Sequence, residues 1–195
     1  MSSKNKKKGR RAYLEDFRKD SNGNYVYCGI LYEYTGSSRV KFNIALALLT
    51  LVALVSATVC GVLPAKGMLN TAYVLAFYVL ELIAVLLLSY KAVRLLIAKD
   101  PIREYVFTKT VKRIPVYSMA AAVCAAARLI GYTVFVIITA AREDFFGTQI
   151  GYFITLVLLD LFVIASTVAV FVISRKYGFR PAEKRPVKQD EAENK

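Results

Sequence analysis

Glu81, Arg128 and Asp160 are the residues of this chain best suited to chemistry, because each is a single charge near the middle of a long apolar run. A lone charge in hydrocarbon is costly, so its presence marks a polar site inside a bundle. Two acids and one base can pair, which removes most of the cost of burying each. The count leaves one negative charge over. Such a group is neutral when one carboxyl keeps its proton, or when a proton or cation occupies it. In that chemistry Glu81 and Asp160 are the proton or cation acceptors, and Arg128 is the counter-charge.

Other chemistries are poorly served. The chain has no histidine, which removes the commonest general base and the commonest metal ligand. Cys28, Cys60 and Cys124 are scattered singly. Without CxxC or similar spacing, neither zinc nor thiol redox chemistry is expected. Cys60 and Cys124 fall inside apolar runs and read as small packing residues. No nucleophile–base pair is legible. No enzyme activity, no metal site and no cofactor are expected.

The elements that must position the charges are four apolar runs, at about 42–63, 71–90, 116–140 and 150–174. Each has about 20 residues or more, enough to cross roughly 30 Å of hydrocarbon as a helix. Strand-like alternation is absent from these runs, and a bilayer leaves the backbone only helices or closed barrels. The fold class expected is therefore an all-α membrane protein, a four-transmembrane-helix bundle of two helical hairpins. Pro64 stops the first run, with Gly67 in the following turn, and Pro115 opens the third.

Helical spacing turns Arg128 inward. Ala121, Cys124, Ala125 and Gly131 lie on its face, with Tyr132 one turn away. Small residues let a second helix approach closely. The first run carries a matching stripe of Ala47, Thr50, Ala53, Ala57 and Gly61. Tyr78 and Ser89 share the face of Glu81, and Thr167 lies two turns from Asp160. These hydroxyls can support the charged group, or simply bond to their own helix backbone.

A weak repeat relates the two hairpins. Residues 79–85 resemble 158–164, which aligns Glu81 with Asp160, and at the same offset Tyr73 aligns with Tyr152. Such a repeat would be parallel, with its axis along the membrane normal. Leu49 stands opposite Arg128 and breaks the match, and Leu/Ile/Val-rich runs also align by chance. Tyr73, Tyr78, Tyr132 and Tyr152 are the supporting polar candidates.

Charge orients the bundle. The 195 residues hold 27 Lys and Arg against 14 Asp and Glu, a net charge of +13. In a soluble protein this would suggest nucleic acid. Here ten of the 27 lie in residues 1–41, seven in 91–114 and seven in 175–195. The positive-inside bias puts these three segments, and both termini, in the cytoplasm of a plasma-membrane protein. Nucleic acid is not an expected partner.

The run Lys4, Lys6, Lys7, Lys8, Arg10 and Arg11 is the candidate contact with anionic headgroups, or a solvated tail that enforces topology. No cleavable signal peptide is expected, because no apolar stretch follows the basic start at the right distance. Residues 20–24 are a turn signal, followed by β-formers at 25–27 and 31–34. A small cytoplasmic β-hairpin is expected near 24–35, inside a basic segment 1–40. In the connector 91–114, Asp100 can cap a helix begun by Pro101, with Ile102, Tyr105 and Val106 on one face. An irregular loop fits as well. Residues 175–195 read as a disordered tail.

The foremost functional reading is a structural or accessory subunit of a membrane complex, with the charge cluster holding its helices in register. The alternative is a small transporter or channel-like protein, moving protons, cations or a small solute through a homo-oligomer.

Overall fold

Ser38 starts the first helix: its hydroxyl oxygen accepts from the Lys41 N–H at 3.4 Å, which satisfies one of the free donors at a helix start. The helix α1 (Arg39–Val62) then runs until Leu63 and Pro64, where proline cannot continue it. In this computed structural model residues 17–19, 23–36, 38–67, 70–140, 149–176 and 178–182 are described. Three further long helices follow: α2 (Ala72–Ile97), then α4 (Ile114–Ala140) and α5 (Ile150–Lys176). A short helix, α3 (Glu104–Lys109), precedes α4. Pro115 sits in the first turn of α4, where its missing N–H costs nothing. The four long helices are long and apolar enough to cross a membrane.

They pack as a ring in the order α1, α2, α4, α5, each helix touching its two neighbours. This order maps onto itself when the first hairpin is exchanged for the second, so α2 and α5 take equivalent diagonal places. The interior is layered. At one end Phe42, Leu46, Leu88, Leu95, Ile114 and Val170 form a large-residue core. The middle is built from Ala53, Ala57, Ala84, Ala121 and Ala125 with Val85 and Val163. These small side chains let the helices approach closely. At the other end Tyr132, Leu156, Val74 and Val136 close the bundle. The outward faces are apolar all round, with Leu80, Leu87, Ile130, Leu158 and Phe162 about half exposed or more, apart from Leu87 at 39%.

The described parts of the three basic segments meet at the large-residue end. Strand β3 (Leu31–Tyr34) is the centre of a three-stranded antiparallel sheet, flanked by β4 (Ile102–Arg103) and β5 (Phe179–Pro181). An aromatic group seats this sheet on the bundle. Tyr34 lies 5.4 Å from Phe42 and 5.6 Å from Phe179, centroid to centroid, and Tyr32 stacks on Phe107 at 4.0 Å. Arg39 at the start of α1 pairs with Asp100 and donates to the carbonyl of Ala98. That contact fixes the start of α1 to the end of α2.

The strands pair differently from the hairpin expected near 24–35. Strand β2 (Tyr25–Tyr27) pairs with β1 (Phe17–Lys19), with Phe17 opposite Tyr27, and not with β3. Gly23 of the turn signal takes φ +79° just before β2. Strand β3 is drawn away because Tyr34 belongs to the aromatic seat.

Two further expectations change. Pro101 does not open a helix: residues Ile102–Arg103 extend along the edge of β3, and α3 begins only at Glu104. Ile102 is buried by that pairing while Tyr105 is 44% exposed, so they do not share a face. The segment 175–195 is ordered at its start. Helix α5 reaches Lys176, and β5 pairs Phe179 with Tyr34 and Arg180 with Glu33. Residues 183–195, and the Lys4, Lys6, Lys7, Lys8, Arg10 and Arg11 run, lie outside the described residues.

Candidate functional site

The site grows from the helix ring. Glu81 on α2, Arg128 on α4 and Asp160 on α5 stand at one level, between the alanine layer and the Tyr132 end. At 1.5 Å per residue, each lies roughly 13 to 18 Å from the end of the bundle opposite the sheet. All three are buried, at 0%, 1% and 3% exposure. The bundle therefore holds an arginine and two acids with no access to bulk solvent.

Arg128 is the hub. Its Nε lies 2.8 Å from Oε2 of Glu81, and its Nη2 donates to Oε1 of the same carboxyl at 3.3 Å. The same Nη2 donates to Oδ1 of Asp160. The guanidinium thus ties α4 to α2 and α5, the two helices that flank it in the ring. Its Nη1 has no hydrogen-bond partner among the described residues. The guanidinium carbon also lies 5.3 Å from the ring centre of Tyr78, a cation–π distance.

The fourth helix joins through Cys60. Its thiol donates to Oδ1 of Asp160 across 3.8 Å, and Cys60 is fully buried. Each helix of the ring therefore supplies a member of one layer: Cys60, Glu81 with Tyr78, Arg128, and Asp160. Sequence reasoning treated Cys60 as packing alone. The signal was present, since Cys60 follows Ala57 by three residues on the small-residue stripe of α1. Gly61 completes the arrangement: a Cβ there would overlap the Tyr78 hydroxyl end, so the glycine leaves room for that ring over Arg128.

The remaining candidates lie elsewhere. Tyr132 is buried, but its hydroxyl donates to the carbonyl of Lys66 at 3.5 Å, and its ring packs against Phe135 and Phe153. Tyr73 is 43% exposed and rests beside Gly131, and Tyr152 is 37% exposed. The pair aligned by the repeat therefore faces outward. Thr50 and Thr167 donate to carbonyls of their own helices, at 2.7 Å to Leu46 and 2.7 Å to Val163. The hydroxyl oxygen of Ser89 is shielded from solvent and has no partner among the described residues.

This arrangement can do two things chemically. It can hold three helices at fixed heights, because sliding any one of α2, α4 or α5 breaks a buried ion pair. It can also accept one positive charge, since two carboxyls face a single guanidinium. Comparison with protein families, curated proteins and solved structures finds no match to this chain.

Proposed function

We propose that this protein is a four-span integral membrane protein of the plasma membrane, and a structural or accessory subunit of a membrane complex. In this reading the Glu81–Arg128–Asp160 network fixes the register of the spans. The observation that carries it is the enclosure of Arg128: one guanidinium bonded to acids on both neighbouring helices and buried in the interior. Membrane residence is supported by the outer faces of the four long helices, where large apolar side chains such as Leu80, Ile130, Leu158 and Phe162 stand exposed. The cytoplasmic side is assigned to the sheet end, where the described parts of the three segments rich in Lys and Arg converge.

A second reading is favoured by one feature, the unequal count of two acids and one base. In it the cluster is the proton or cation site of a small transporter, working in an oligomer. Reconstituted proteoliposomes separate the two. The structural reading expects no proton or cation flux above that of empty liposomes, and loss of thermal stability in the variant Arg128→Met. A flux that disappears in Glu81→Gln/Asp160→Asn would replace the structural reading with the transport one.

A further inference from the structure

On the outer side of the α4–α5 pair a groove of about 1040 Å³ opens near the sheet and runs toward the middle of the bundle. Its walls are Met119 and Val123 of α4 and Phe171 of α5, and among the described residues its lining contains no carboxylate. Met119 is 49% and Val123 56% exposed, so these walls are uncovered. The hollow has a cause in the sequence. Ala120 lies in an alanine-rich stretch of α4, too short to fill the crevice left by the larger residues around it.

Two cations stand at the groove's sheet end. Lys112 Nζ is 5.6 Å from the ring centre of Phe107, and the Arg175 guanidinium carbon is 5.3 Å from that of Phe171. Neither makes a salt bridge to a carboxylate among the described residues. The groove thus combines an apolar trough with a positive mouth. From Lys112 to Val123 is about 16 Å of helix, roughly half the hydrocarbon thickness and so the depth of one leaflet.

We propose that this groove is a binding site for a single anionic phospholipid of the cytoplasmic leaflet. The phosphate lies between Lys112 and Arg175, and one acyl chain lies along Met119, Val123 and Phe171 over Ala120. The proposal rests on the membrane-spanning reading and adds to it a defined lipid at a defined place. Charge complementarity selects the occupant: the mouth attracts an anion, and the trough accepts hydrocarbon. Neither half alone accounts for the other.

The test uses full-length protein, delipidated in neutral detergent and titrated separately with phosphatidylglycerol, phosphatidylcholine and glycerol phosphate. Bound species are counted by native mass spectrometry. One phosphatidylglycerol is expected to bind about 25-fold more tightly than phosphatidylcholine, taking about fivefold from each cation. Lys112→Gln/Arg175→Gln, at exposed positions, is expected to abolish the preference with unchanged circular dichroism. Ala120→Phe is expected to weaken both lipids by filling the trough.

Equal binding of the two lipids, or a preference that survives the double substitution, overturns the proposal. So does glycerol phosphate binding as tightly as the lipid. Carbonate extraction of membranes keeps the two readings apart. A chain released by carbonate sinks the spanning reading itself, while a carbonate-resistant chain without lipid preference sinks only the groove.

Discussion

The Nε of Arg128 on α4 lies 2.8 Å from Oε2 of Glu81 on α2, and both side chains are shut off from solvent, at 1% and 0% exposure. Asp160 on α5 accepts from the same guanidinium. The pairing is therefore a three-helix junction, to which Cys60 of α1 adds the fourth side. Breaking a buried ion pair from one side leaves an uncompensated charge, at a cost of about 3–5 kcal/mol.

The charge count makes the two acids unequal to their sum. Glu81→Gln or Asp160→Asn alone leaves one carboxylate on Arg128 and a neutral cluster, so each is expected to cost less than about 1 kcal/mol. Together they leave Arg128 buried without an acid, and the expected loss is about 3–5 kcal/mol. Unfolding of the purified variants in mixed micelles checks this. Additive single effects would speak against a shared partner.

Gly67 is tied to its turn by two independent facts. Its φ is +82°, and a Cβ there would overlap the ring of Phe135. Gly67→Ala is expected to destabilise by about 1–3 kcal/mol. Gly151→Ala, where a Cβ meets nothing within 4 Å, is the control and is expected to be neutral or slightly stabilising. Thermal scans of both proteins in detergent make the comparison.

Strand β5 anchors the segment after α5 through Phe179, which packs on Tyr34, Phe42 and Phe107 at 5.6, 6.5 and 6.1 Å between ring centres. Phe179→Ala is expected to lower stability by about 1–3 kcal/mol. It is also expected to speed amide exchange in Leu31–Tyr34. Exchange followed by mass spectrometry reads both; unaltered protection of β3 would count against the sheet.

The cysteines report burial and sidedness. Cys28 is exposed and Cys60 is buried. A membrane-impermeant maleimide is expected to label Cys28 in inside-out vesicles and not in intact cells, with Cys60 unreactive until denaturation. Labelling of Cys28 from outside intact cells would reverse the proposed orientation.

Much of the bundle was legible in the sequence because apolar length is a strong signal and the helix breakers Pro64 and Pro115 mark its edges. The charged residues were legible for the same reason, since each interrupts an otherwise apolar run. Strand pairing was not. Tyr25–Tyr27 and Leu31–Tyr34 show β-forming composition, but their partners lie at 17–19, 102–103 and 179–181, and short strands carry no local record of so distant a neighbour. Cys60 was passed over because a buried cysteine usually acts as a small apolar residue, and only its height on α1 brings it to Asp160.

The most direct measurement is a double-mutant cycle between Arg128→Met and Asp160→Asn, read as unfolding free energy in mixed micelles. A buried junction predicts a coupling of at least about 2 kcal/mol, with Asp160→Asn partly rescuing Arg128→Met. Effects that add to within about 0.5 kcal/mol would mean that the two side chains do not share a site, and the account of a charge-locked bundle would be wrong.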